Sequence, residues 1–492
     1  MKKKPIWILC LILVLLCSYV AFDKIDAMEF NGLRVMSAQE LGELTAGLNK
    51  VAVSQNVEEL IELDGHKIPY DRSHNTFYVS QPMEGKEYAG TFGPVGDNCT
   101  VYFQQDDALA DKQTAIAEGH TFTLWIVTKS DYTVANLIFT GLPMVCIRSE
   151  EGSIADVYGR GNIVVQNPDD GDVITMSIKE SAMEVKANYN SGTISFKLYK
   201  DSYSEERDLS LLGLGIRTSW KLYPIYRKDG AISRELLSAY VWDCVCGDST
   251  FRKGMEYAEV IVDGEYSGLY YLSPKVGKGS LNLGADDRAY ECEEVTEDGT
   301  KQYDVLGDED TIANRSALEQ YDGLWEEGNE DFSQINMDNY INYNIYLQAA
   351  CAVQNSTEEY FIIAYEKDGS YTFCKMPGRS KFVFGLYPSE IGWQSVTAVE
   401  NIIEDDGYAV MAAQSQDVMQ RTAQRWNELR KNALSTDNLL RTVYLYEQRL
   451  ANAGYIVREE EPSAYIIYCD TLHDLIRERM DYLDSYYSNI NG

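Results

Sequence analysis

"YAEVIVDGEYSGLYYLSPK", Tyr257 to Lys275, decides how the middle of this chain folds. Two runs rich in aromatic and β-branched residues flank Asp263-Gly264, and a two-residue link of that kind suits the positive φ angles of a tight hairpin turn. The residues just upstream supply a cover for it. Between Ala231 and Val245, Leu236, Leu237, Tyr240 and Val241 recur at helical spacing, which predicts an amphipathic helix.

Moving outward, "MDNYINYNIYLQAACAV" (Met337 to Val353) predicts a second helix, with Asp338 or Asn339 as its cap. "YFIIAYEKDGSYTFCKM" (Tyr360 to Met376) predicts a second hairpin, turning at Asp368-Gly369. Towards the N-terminus, from 29 to 190, short alternating runs broken by Gly, Pro, Asn and Asp predict a β-rich, sandwich-like accessory domain; Thr121 to Thr128 and Ala135 to Pro143 are its clearest strands. After about Ser395 the pattern is helical. Ser435 is a candidate cap for a stripe of Leu439, Val443, Tyr446 and Leu450, Gly454 is its stop signal, and Leu472, Ile476 and Leu483 mark a further core-facing stripe. The fold class expected is α+β, in units of 29–190, 191–390 and 391–492.

The first 28 residues stand apart. Lys2, Lys3 and Lys4 precede the uncharged apolar stretch Ile6 to Phe22, the pattern of a signal peptide or signal anchor. The basic flank stays cytoplasmic, so the expected location of the bulk is extracytoplasmic, with membrane contact through this segment alone.

With 43 Lys and Arg against 77 Asp and Glu, the net charge of −34 repels nucleic acid and anionic membrane, so neither is an expected partner. Eight cysteines beyond the apolar segment are too sparse for a disulfide scaffold; Cys244-Val-Cys246 has no second pair, and His66, His74, His120 and His473 are scattered, so no metal site is expected by spacing. Gly159-Arg-Gly161 and Gly213-Leu-Gly215 lack the rest of a phosphate-loop fingerprint and read as turns.

Taken in order, several segments resemble one family, the CotH (spore coat protein H) kinases, atypical protein kinases of bacteria. In "LLGLGIRTSWKLYPIYRKDGAISRELLSAYVWD" (Leu211 to Asp243), Trp220, Asp229 and Arg234 match the family's Trp and Asp-x-Ser-x-x-Arg run, with Ala231 at the Ser. The hairpin is similar to the family's Asn-Gly-Glu-Tyr-x-Gly-Leu-Tyr-x-Leu-x-Glu-Lys: Gly264, Glu265, Tyr266, Gly268, Leu269, Tyr270 and Lys275 agree, while Pro274 replaces the Glu. "RWNELR" (Arg425 to Arg430) and "LANAGYIVRE" (Leu450 to Glu459) resemble the helical tail of some members. The resemblance runs from about Gly192 to Tyr487. It implies an atypical protein-kinase-like α/β domain, with catalytic and metal-holding acids on either side of the 360–376 hairpin.

At those positions the chain departs from the pattern. Before the hairpin, where the family has Asp-Asn-x-x-Lys-Asn, stand Gln354, Asn355, Ser356, Thr357, Glu358 and Glu359; after it, where the family has Pro-Trp-Asp-x-Asp-x-x-Phe-Gly, the chain reads Pro377-Gly378-Arg379-Ser380-Lys381 and ends in Phe384-Gly385. The catalytic Asp has become Gln354 and both metal acids have become cations. A unit-charge pair at about 4 Å and an effective dielectric of about 20 is worth roughly 4 kcal/mol, so a divalent ion is repelled where the family attracts one.

The expectation is therefore a pseudokinase that binds by charge: Arg379, Lys381, Arg234 and Lys275 are candidate nucleotide- or anion-binding residues, no cofactor is expected, and the partner expected is a coat or surface protein. The bland alternative is a decayed site whose bases are ion-paired. An active Ser/Thr kinase that uses Glu358, Glu359 or Glu390, with ATP and magnesium, is another, and a wall- or glycan-binding surface protein a third.

Overall fold

The computed structural model describes residues 29–51, 61–81, 90–95, 98–167, 177–200, 203–226, 229–295, 301–307, 312–326, 328–386 and 401–490. The apolar leader and Glu390 lie outside the described residues. The chain mixes helices and strands, so it is α+β. Among the described residues no helix is long and apolar enough to cross a membrane.

The N-terminal unit is an eight-stranded sheet built around β1 (Thr76–Ser80), β2 (Thr121–Val127) and β3 (Asp131–Thr140), over a core that includes Phe77, Phe103, Phe122, Leu124 and Phe139. Its sequence alternation is explained by one buried face: Phe122, Leu124 and Ile126 point inward while Thr123 and Trp125 are half-exposed. Immediately after Pro143 the chain enters a different sheet.

That second sheet is a closed barrel. Its strands are β4 (Met144–Ser149), β5 (Gly159–Asn167), β6 (Ser177–Ala187), β7 (Ile194–Tyr199), β8 (Ser219–Pro224), β9 (Glu256–Val262) and β10 (Glu265–Pro274), ordered β4-β5-β6-β7-β8-β10-β9 and closed by parallel pairing of β4 with β9. The boundary expected at 190 therefore falls inside the barrel, and the break lies at 141–143. Strands read as part of an accessory domain are barrel walls, because the same period-2 pattern serves both sheets. Gly159-Arg-Gly161 is likewise strand and not a turn; a Cβ on Gly161 would sit 2.4 Å from the carbonyl oxygen of Arg148. The β9–β10 hairpin turns at Asp263 (φ 50°) and Gly264 (φ 81°), as its sequence requires.

The third body surrounds a four-stranded sheet of β11 (Arg288–Val295), β12 (Lys301–Val305), β13 (Tyr360–Lys367) and β14 (Ser370–Pro377), ordered β12-β11-β13-β14. Helices α1 (Arg234–Val245) and α2 (Met337–Ala350) pack together on one core with it; Trp242 meets Tyr346 edge-on at 5.6 Å. The cap of α2 is Asn336, whose side chain accepts from the Asn339 amide, in place of the Asp338 or Asn339 expected. The tail helices α3 (Gln416–Arg430), α4 (Thr436–Asn452) and α5 (Pro462–Ile490) close the core, with Ser435 capping α4.

These bodies are joined by a buried polar knot. Glu259 of β9 accepts from Tyr266 and from Arg458 of the short helix Tyr455–Glu459, each at 2.6 Å, and from Thr140 of the N-terminal sheet. Such a carboxylate is tolerated inside only because each neighbour donates to it.

Candidate anion-binding cleft

Along β7 and β8 the inward residues, Ile194, Phe196, Leu198, Trp220 and Leu222, fill the barrel, so the alternate ones face out. On that outer face Lys186, Ser195 and Lys221 sit opposite one another across β6, β7 and β8, and Lys197 sits opposite Ser219 in the next row. Glu184 of β6 completes that second row, and the two lysines of the first row stand about 10 Å apart by strand spacing.

This face is one wall of a cleft of about 840 Å³. Opposite stand Glu291 of β11 and Asp304 of β12, while Glu359, Arg379 and Lys381 come from the ends of the β13–β14 hairpin. Seven basic side chains line it against three acidic ones, in a chain whose balance is the reverse. The reversal is local, so it is a property of the cleft.

The hairpin does bring the segments before and after it side by side. Asn355, in the short helix Val353–Thr357, is fully buried and donates to the carbonyls of Glu359 (2.6 Å) and Arg379 (3.2 Å). It is a brace between the two segments. Gln354 donates to Glu358 at 2.9 Å and is not among the cleft-lining residues. Gly378 packs so tightly on Glu359 that a Cβ would lie 2.7 Å from its carbonyl oxygen; the Trp of the resembling pattern has no room there unless the segments part.

The four basic candidates separate. Arg379 is buried and its fork is taken: Nε and Nη2 donate to the two oxygens of Glu235 at 3.0 and 2.9 Å, and Nη2 also donates to the Pro224 carbonyl at 2.7 Å. It is ion-paired, as the bland alternative had it. Arg234 pairs with Asp229 and donates to the Phe384 carbonyl at 3.3 Å, inside the protein and away from the cleft lining. Burial raises the Asp229 carboxyl despite that partner.

Lys381 and Lys275 behave otherwise. Lys381 is half-buried in the cleft wall, with no carboxylate partner among the described residues; burial first, and then the charge of Arg379, lowers its ammonium from the usual range. Lys275 donates to the Tyr158 hydroxyl at 3.4 Å, and Lys186 lies over the same ring at 5.0 Å. Neither lysine has a carboxylate partner among the described residues, whereas Lys221 is 3.5 Å from Glu291 and Lys197 pairs with Glu206.

Behind the wall, Lys253 is buried and donates to the Gly378 carbonyl; burial pushes its ammonium down to about 8 against the opposing pull of Glu235, Glu359 and Asp243. Sequence reasoning had missed Glu235, Lys186, Lys221 and Lys253. The alternation Ser195-Phe-Lys197 and Ser219-Trp-Lys221 was the available signal for the outer face; nothing local marked Glu235 as the partner of a residue 144 positions away.

Chemically, ammonium groups that have no carboxylate partner among the described residues and line a hollow of this size favour an anion. Among the described residues no group of three His, Cys, Asp or Glu side chains is assembled to hold a metal ion. Compared with known proteins, the chain matches no family model and no curated protein sequence.

Proposed function

We propose that this chain is an extracytoplasmic, kinase-like protein that binds a phosphate-bearing anion in the cleft and transfers no phosphate. The kinase-like part rests on the motif resemblance, and the location on the basic-flanked apolar N-terminal stretch. The single observation that carries the binding reading is the charge of the cleft, with Lys381, Lys275 and Lys186 all lacking a carboxylate partner among the described residues. Its ligand engages without a bridging divalent ion, because the position of a metal acid is held by Arg379, which is committed to Glu235. A coat or surface protein bearing phosphate is the partner class that fits this location.

The test is equilibrium binding of ATP and pyrophosphate to the purified protein, in EDTA and in magnesium, with labelled ATP offered to casein and to the protein itself. Binding that is unchanged by EDTA, weakened at least tenfold by Lys381→Gln and accompanied by no transfer is the expected result. Magnesium-dependent binding with label transferred would favour the active-kinase reading, in which Glu359, which does line the cleft, takes the part of the missing acid.

A further inference from the structure

We infer that the cleft takes a chain molecule carrying repeated phosphate groups, with Lys186 and Lys275 forming a second phosphate subsite apart from Lys381. This rests on the anion-binding reading and adds the class of ligand to it.

Two observations carry it. First, the cations lacking carboxylate partners fall into two sets on different elements of one cleft. Lys381 follows the β13–β14 hairpin, whereas Lys186 ends β6 and Lys275 follows β10. Lys186 and Lys275 converge on Tyr158, one over its ring at 5.0 Å and one on its hydroxyl at 3.4 Å, so two like charges are gathered without an acid between them. An anion lodged there relieves their repulsion.

Second, the wall between offers ammonium and hydroxyl donors side by side. Lys186, Ser195 and Lys221 form one row across β6, β7 and β8, and Glu184, Lys197 and Ser219 form the next. An ammonium gives a point charge and a hydroxyl gives a directional donor, and a phosphate oxyanion uses both at once. Lys381 stands on the hairpin side of the cleft and Lys186 with Lys275 on the barrel side, so one phosphate group held at one set leaves the other unengaged. A chain of phosphates reaches both and gains by effective concentration what each subsite lacks alone.

Inorganic polyphosphate and poly(glycerol phosphate) share this chemistry, so both are probes. Each is titrated into the purified protein in EDTA beside pyrophosphate and single-stranded DNA, compared at equal phosphate concentration, at low and at physiological salt. At least one polymer is expected to bind ten or more times tighter than pyrophosphate. The double variant Lys186→Ser/Lys275→Ser should lose that tenfold advantage of polymer over pyrophosphate; an unchanged urea midpoint confirms its fold. Preference for one polymer over the other identifies an anhydride or a diester linkage.

Polymer binding no tighter than pyrophosphate, or a tenfold advantage that survives the double variant, overturns the second subsite and leaves the anion-binding reading standing. DNA binding as tightly as either polymer overturns the phosphate-chain assignment in favour of general polyanion attraction. Absence of binding by every phosphate compound overturns both readings together.

Discussion

Arg379 and Glu235 face each other as a two-bond fork, at 3.0 and 2.9 Å, with both side chains buried. The pair joins the end of the β13–β14 hairpin to α1, and so to the helix that covers the barrel hairpin. Removing one member strands the other in a poor solvent for charge. Arg379→Met is expected to cost roughly 3–5 kcal/mol in urea unfolding, while Arg379→Met/Glu235→Leu costs much less, because the pair as a whole contributes little net stability. A loss below about 1 kcal/mol for the single variant would show that water reaches Glu235.

The same pair makes acids at 379 and 381, where the resembling pattern has them, a poor route to a magnesium site. Arg379→Asp/Lys381→Asp sets a new carboxylate against Glu235, so the expected outcome is a lowered unfolding temperature with no gain in magnesium affinity by calorimetry. Tight magnesium binding in a folded double variant would mean that Glu235 can turn from wall to ligand.

Lys253 gives the protein a stability rise at alkaline pH. Burial holds its ammonium at about 8 in the folded state, and an unfolded lysine titrates near ~10.4. Below 8 both states carry the proton and the fold bears the full cost of burying it. Between about 8 and ~10.4 the folded state releases the proton while the unfolded state keeps it, so stability rises with pH across that window. Lys381 is shifted in the same direction, while Cys246 and Cys374, pushed up to about 12 by burial, act with the opposite sign over the same range, so the check is a difference. The urea midpoint of the wild type minus that of Lys253→Met should rise between pH 7.5 and 10, and a difference that falls would contradict the assignment.

The hairpins, the core helices and the alternation of the barrel walls were legible because each is written in neighbouring residues: Asp263-Gly264 and Asp368-Gly369 turn where dipeptide chemistry puts them. Where one sheet ends and the next begins was not, since inward-facing Phe122 and Phe196 belong to different cores with the same local period. The site was half legible. The juxtaposition of 354–359 with 377–381 followed from hairpin geometry, and Asn355 spans it. The state of each charge did not follow, because Glu235 and Asp405 are distant in sequence from the bases they hold. Lys375, for example, lies in a buried strand, 4.2 Å over the Tyr360 ring and paired with Asp405, and no short motif announces it.

His473 on α5 and Glu447 on α4 form a weaker, opposite pH device. The Glu447 hydrogen bond, at 2.9 Å, raises the imidazole above its ordinary value in spite of partial burial. A raised histidine stabilises the fold fully below the unfolded value near ~6.5 and loses that contribution as pH climbs through the folded value. The unfolding temperature of the wild type should therefore drop relative to His473→Gln from about pH 6 to pH 8; parallel curves would mean that the pair is neutral throughout.

Gly454 ties the tail to the N-terminal sheet, and its replacement should reveal how much that junction matters. The residue has φ 70° at the start of the helix Tyr455–Glu459, and a Cβ there would lie 1.9 Å from the Ile116 carbonyl oxygen, in the helix Lys112–Ala117 of the N-terminal unit. Left-handed backbone alone costs an alanine about 1 kcal/mol. The clash is with main chain, so relief requires the two units to separate, and movement of the N-terminal unit also pulls Thr140 from Glu259. Gly454→Ala is expected to cost roughly 2–4 kcal/mol and to speed proteolysis at the 141–143 connection, read by N-terminal sequencing of the fragments. A cost near 1 kcal/mol with unchanged proteolysis would mean that the helix can slide to admit a methyl group without opening the junction.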